Sequence, residues 1–136
     1  MKRTMTDDLG KLVLRVSVGV LILLHGIFKL QNGVDGIAGM LGNHGLPTFL
    51  AYGVYIGEVV GPALVILGVF TRIGALLIAG NMLVAFLLAH MQELFSLGQM
   101  GGWALELQGM FLFGAIAIAL LGAGKFSVGG IAGRYN

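Results

Sequence analysis

The chain has no cysteine. That removes thiol redox, cysteine-ligated iron–sulfur clusters, thiolate haem ligation and CxxC chemistry from what it can do by itself. Charge is scarce as well. Only 10% of the 136 residues are Asp, Glu, Lys or Arg, too few to cover a water-facing surface. The net charge of +2 is small and scattered, so nothing points to nucleic acid. Proline occurs twice, which leaves the glycines at 33, 36, 39, 42 and 45 without the proline filling of a collagen helix.

What is present is apolar: 57% of residues are hydrophobic and the mean hydropathy is +0.96. Four apolar segments, about 9–30, 47–70, 72–91 and 101–122, account for most of the chain at ~20 residues per bilayer crossing. The expected fold is an all-α polytopic membrane protein, a single domain over 1–136. Four transmembrane helices would form an antiparallel bundle, with a short interfacial helix around Ile37, Met40 and Leu41 in the first external loop. A cleaved signal peptide is not expected, because Arg15 interrupts the first run and no A-x-A site follows it.

The first span carries Arg15, His25 and Lys29. At about 100° per residue, His25 and Lys29 fall roughly 80° and 40° from Arg15, so one face bears all three. Ionisable groups in a membrane helix are expensive and turn toward the bundle interior or a watery cavity. The second span has Gly53, Gly57 and Gly61 in GxxxGxxxG spacing, which permits close helix packing and offers a face for homo-oligomers. Pro62 cannot donate to the carbonyl of Glu58. Thr71–Arg72 reads as a tight turn into the third span, where His90 lies about 180° from Asn81 and so faces a different neighbour. In the fourth, Glu106 and Gln108 point about 200° apart. The glycine-rich tail from Ala123 should lie outside the membrane.

Lys2, Arg3, Lys11, Arg72, Lys125 and Arg134 all fall on one side, so both termini are expected in the cytoplasm. Phe49, Tyr52, Phe95 and Trp103 fall on the other, as an interfacial belt. By depth, Glu58 and Asn81 lie near the midplane, and His25 and Glu106 roughly 6–8 Å further out. Lys29 and His90 come to roughly 12 Å, while Arg15, near the cytoplasmic end, can snorkel.

The candidate polar cluster is therefore His25, Lys29, Glu58, His90 and Glu106, with Arg15 apart. Such groups can pair as interhelical glue, or line a proton-handling pocket for a lipid-soluble ligand. His25, Glu58 and Glu106 are expected to share that pocket. Bis-histidine haem on His25 and His90 is disfavoured by their difference in depth. Copper on His44, His90, Met91 and Met100 suits ligand softness but matches no spacing motif, so no metal is expected. GAGKFS at 122–127 is not a phosphate loop: Ala119 replaces its first glycine, and Phe126 its Ser or Thr.

The segments LRVSVGVLILLHGIFKL, GLP at 45–47, YIGEVVGPALVILGVFTR at 55–72, NMLVAFLLAH at 81–90 and GGW…E…LLGAGKFS at 101–127 give the chain its closest pattern. In their order and spacing it resembles the DoxX family of small four-span bacterial membrane proteins. The resemblance implies an inner-membrane protein in, or associated with, quinone-linked oxidoreductase systems; relatives include a small subunit of thiosulfate:quinone oxidoreductase. By position, the family-like polar residues are Arg15, His25, Lys29, Glu58, His90 and Glu106. The tail departs from the family, with Ala123 where proline is frequent and no acid after Ser127. The resemblance thus implies a quinone-interacting or accessory subunit, in contact with the lipid bilayer and a redox partner protein that carries the electron-transfer cofactor. The alternatives are a non-enzymatic scaffold or assembly factor whose buried polar residues are structural, and a permease, for which no half-repeat is visible.

Overall fold

A computed structural model describes residues 4–136; Lys2 and Arg3, used in the charge argument, lie outside the described residues. Helices are the regular elements among the described residues, with a lone bridge between Leu97 and Trp103 in place of any sheet. Helix α1 (Met5–Asn32) begins at a capping box, in which the Asp7 amide donates to Thr4 Oγ1 at 3.1 Å and the Thr4 amide to Asp7 Oδ2 at 3.0 Å. It stops at Gly33, whose φ of +82° suits a residue without Cβ. Helix α2 (Asp35–Asn43) is the expected short amphipathic helix. Its Leu41 packs with Val34, Ala51 and Val54 in a small apolar cluster separate from the main core.

The second apolar helix, Thr48–Leu67, changes pitch along its length. It opens as 3-10 turns (Thr48–Gly53), widens into a π turn (Ile56–Val60), and closes as α3 (Gly61–Leu67) with Pro62 in its first turn. Pro62 brings no amide to the ladder, and the wide turn lies just before it. The chain then reverses through residues 68–70, where Gly68 and Phe70 have φ of +74° and +45°. This differs from the expected Thr71–Arg72 turn. Those residues instead open α4 (Thr71–Ala89), because Thr71 is held by Asn136, its hydroxyl donating to Asn136 Oδ1 at 2.6 Å.

The last helix, α5 (Glu106–Leu121), has 16 residues, shorter than the expected 101–122. Before it, Trp103 donates from Nε1 to the Leu94 carbonyl at 2.8 Å and packs edge-on to Phe86. Three helices, α1, Thr48–Leu67 and α4, are long and apolar enough to cross a membrane. The elements pack as a ring: α1 touches α3 and α5, and α4 touches the same two. Val18, Ile22, Val65, Ile78, Phe111 and Ile118 fill the centre. Leu24, Leu76, Phe113 and Leu120 point outward unburied, as lipid-facing residues do. Phe49, Tyr52 and Phe95 are exposed like the expected belt, whereas Trp103 belongs to the core.

At the tail end of the bundle, two arginines each close the C-terminus of another helix. Arg72 Nη1 donates to the Ala119 and Leu120 carbonyls of α5 at 2.8 and 2.9 Å. Arg15 does not snorkel; it is 1% exposed. Its Nε and Nη2 donate to Val65 and Ile66 at 3.0 and 3.2 Å, and Nη1 to Ala123 and Phe126 at 2.7 and 3.0 Å. The tail consequently folds back on the helix ends instead of trailing away. Val128 and Gly129 amides donate to Leu67 and Gly68, and the Arg72 amide donates to Tyr135.

Candidate functional site

At the opposite end, one level of the bundle brings Lys29 and Glu58 together. Lys29 comes from the last turn of α1 and Glu58 from the π turn. The Lys29 ammonium meets both Glu58 carboxylate oxygens at 2.6 Å, in a charge-assisted bidentate pair. Asn81 of α4 adds a third strand to the knot, donating from Nδ2 to Glu58 Oε2 at 3.1 Å. Tyr55 donates its hydroxyl to the Lys29 carbonyl at 3.0 Å, closing the end of α1. Three helices are thus joined through one buried carboxylate.

Two glycines make that approach possible. A Cβ at Gly26 would collide with the Glu58 carbonyl, and one at Gly57 with the Asn81 side chain. Gly61 likewise meets the Gly74 carbonyl and Ile78 of α4. The expected oligomer face is therefore corrected in part: Gly57 and Gly61 pack within the chain, and only Gly53 stands in open space. Close packing at Gly57 seats Asn81, whose carbonyl oxygen faces that glycine.

Cavities lie on both sides of the Lys29–Glu58–Asn81 knot. A small one of about 170 Å³ sits between α1, α4 and α5, and adds Ile22, His25, His90, Gln108 and Phe111 to its lining. A large groove of about 1010 Å³ runs between α2, the Thr48–Leu67 helix and α4. Its walls are mostly aliphatic, with Leu50, Ile56, Leu76, Val84 and Leu88 among them. Lys29, Glu58, Asn81 and His90 line both spaces. An apolar trough that ends on a few convergent polar groups is the usual form of a small-molecule site.

The histidines are differently held. His25 is exposed, with Nδ1 2.9 Å from the Leu21 carbonyl and its ring edge-on to Phe111. A carbonyl can only accept, so Nδ1 is the donor of that bond. His90 has a buried Nδ1 with no hydrogen-bond partner. The wheel argument that sent His90 and Asn81 to different neighbours fails, because α4 ends at Ala89. His90 lies beyond it at φ −129°, free of the helical angle.

Of the six expected residues, Lys29 and Glu58 are bonded to each other, and His25 and His90 line the same small cavity. Glu106 and Arg15 do not join them. Glu106 is exposed at the start of α5, beside Gly102, and Gln108 is the polar α5 residue that reaches the cavity. The expectation that His25, Glu58 and Glu106 share one pocket is corrected on that point: residues 101–105 are not helical, so α5 starts at Glu106 rather than at Gly101. Sequence reasoning placed Asn81 near the midplane without assigning it to the site. A lone amide amid aliphatic residues was the signal available.

The family model for DoxX matches residues 10–91. A protein of Bacillus subtilis (strain 168) named "Putative oxidoreductase CatD" is 34% identical over 116 residues, covering 85% of this chain and 81% of that relative. A Haemophilus influenzae protein named only "Uncharacterized protein" is 36% identical over 77 residues, or 57% of this chain and 56% of its own length. No solved structure matches the chain.

Proposed function

The chain belongs to the DoxX family, and from that premise we propose that it is a four-span inner-membrane protein that binds the headgroup of a quinone-like lipid at Lys29, Glu58 and Asn81 for a membrane redox system. The observation that carries this reading is the position of Glu58, a buried carboxylate on the wall of an aliphatic groove of about 1010 Å³. Lys29 and Glu58 neutralise each other, so the site suits an uncharged polar headgroup better than an anion or a cation. Ketone or hydroxyl oxygens match what remains free: one ammonium N–H of Lys29, the second Asn81 amide hydrogen and the unpartnered His90 Nδ1. A long apolar tail would lie along the groove. The redox context rests on the name of the Bacillus subtilis relative. With no cysteine to hold a cluster, electrons would come from a partner protein or a bound cofactor.

The test is binding of a hydrophobic quinone analogue to the purified protein, measured alongside thermal stability for wild type, E58Q and N81L. Loss of a hydrogen bond to a charged group should weaken binding about tenfold or more while the fold persists. If wild type binds no analogue, or every loss of affinity tracks unfolding, the knot is glue and the protein is a membrane scaffold. That second reading has its own support, since the same three side chains tie α1, the Thr48–Leu67 helix and α4 together. We further propose that the tail end faces the cytoplasm, following the basic residues gathered there. Cysteines placed at Asn43 and Ser96 should then label with an impermeant reagent in intact cells. Protection of both, with labelling at Thr71, would reverse the orientation.

A further inference from the structure

His90 sits where α4 gives out, its amide still bonded to the Phe86 carbonyl at 3.1 Å. Its side chain lines both cavities, yet Nδ1 is sealed from solvent and unpaired. A buried polar atom without a partner is destabilising, so its retention asks for a reason. On the far side of Nδ1 stands Glu93, with Oε1 at 3.6 Å, beyond hydrogen-bond length, and a half-exposed side chain. The Glu93 amide donates to the His90 carbonyl at 3.0 Å, which fixes the two residues on one short turn. His90 therefore stands between a carboxylate in contact with water and the cavity lined by Glu58.

We propose that His90 is the proton-exchange residue of the polar cavity, with Glu93 as its partner at the surface. In the step, Nδ1 accepts a proton from the Glu93 carboxyl, which solvent then reprotonates, giving the imidazolium. Nε2 then releases its own proton through water in the 170 Å³ cavity to the Glu58 carboxylate. The ring returns to neutral in its other tautomer, and no electrons move. Imidazole is the side chain suited to this near neutral pH. The other groups facing His90 are Lys29, Glu58 and His25 around the small cavity and His44 of α2 on the groove. From α5 the cavity receives only the uncharged amide of Gln108 as a polar group. The inference rests on the headgroup reading for its purpose, because a quinone-like headgroup exchanges protons on reduction. Its test uses no such ligand.

The experiment is a light-triggered proton release with the full chain in mild detergent, following the infrared carboxyl band that E58Q removes. In wild type, Glu58 takes up a proton. In H90Q, which keeps a polar side chain but cannot carry the proton, arrival should slow by on the order of tenfold or more. E93Q, at the surface and no threat to folding, should slow it by roughly twofold to threefold. E106Q, whose side chain lines neither cavity, should leave it unchanged. An unaltered rate in folded H90Q, equal slowing in E106Q, or a Glu58 band indifferent to pH would each overturn the proposal. Failure of wild type to bind a quinone analogue would remove the proposed function and leave this rate as it is, so the two failures are separable.

Discussion

Arg15 and Lys29 stand on the same face of one helix, four turns apart, and they have opposite fates. Arg15 donates to four main-chain carbonyls from the end of α3 and from the tail. Neither cavity that Lys29 lines extends to Arg15. Lys29 meets a carboxylate that an amide shares, beside two histidines and two cavities. Backbone carbonyls neither titrate nor leave, so the first arrangement can only hold. Side chains with free donors and acceptors can hold and also exchange partners. Position on the helical wheel made the two cations look alike; what faces each of them separates structure from candidate function.

The largest expected effect comes from removing each cation in turn. R15M strands four carbonyls and removes the side-chain tie between the tail and α3, which should cost at least about 3 kcal/mol of stability. R15K should recover only part of that, because an ammonium cannot reproduce the planar fork that serves carbonyls on two sides. K29M should cost about 1–2 kcal/mol, since Lys29 is partly exposed and Asn81 still supports Glu58. Thermal unfolding in one detergent, with analogue binding on the folded fraction, reads both. Should R15M match wild type in stability, or lose binding while remaining folded, the division between the two ends is wrong.

Much of this fold was legible in the residues. Glycine spacing at 57 and 61 announced close packing, although its partner turned out to be α4 of the same chain. Charge made Lys29 a candidate partner of Glu58 or Glu106, and the fold selects Glu58. The rest depended on departures from an ideal helix, which a wheel assumes away. His90 reaches the cavity because α4 stops one residue earlier. Glu58 sits in a π turn, which shifts its direction relative to an α-helical register. The knot around Arg15 needs the tail to fold back over more than a hundred residues of separation, and a polar glycine-rich segment gives no periodic signal of where it will dock.

The smallest expected effect belongs to Glu106, and it tests the comparison most finely. By family position and the expected shared pocket Glu106 ranked with Glu58, and a description based on those criteria would treat E58Q and E106Q alike. In the folded chain their surroundings differ. Glu58 is 4% exposed and bonded to two side chains, whereas Glu106 is exposed at the head of α5, near the Gly102 backbone. An acid in the first turn of a helix interacts favourably with the helix dipole by about 0.3–1 kcal/mol, and glutamine gives up only part of that. E106Q should therefore change stability by no more than about 0.5 kcal/mol and leave analogue affinity within about twofold of wild type. E58Q should weaken binding about tenfold or more under the same conditions. Equal losses in the two variants would mean that α5 turns Glu106 inward when ligand binds. The site would then extend across the small cavity to α5, and Glu106 would stand with Lys29, not with the residues that face away.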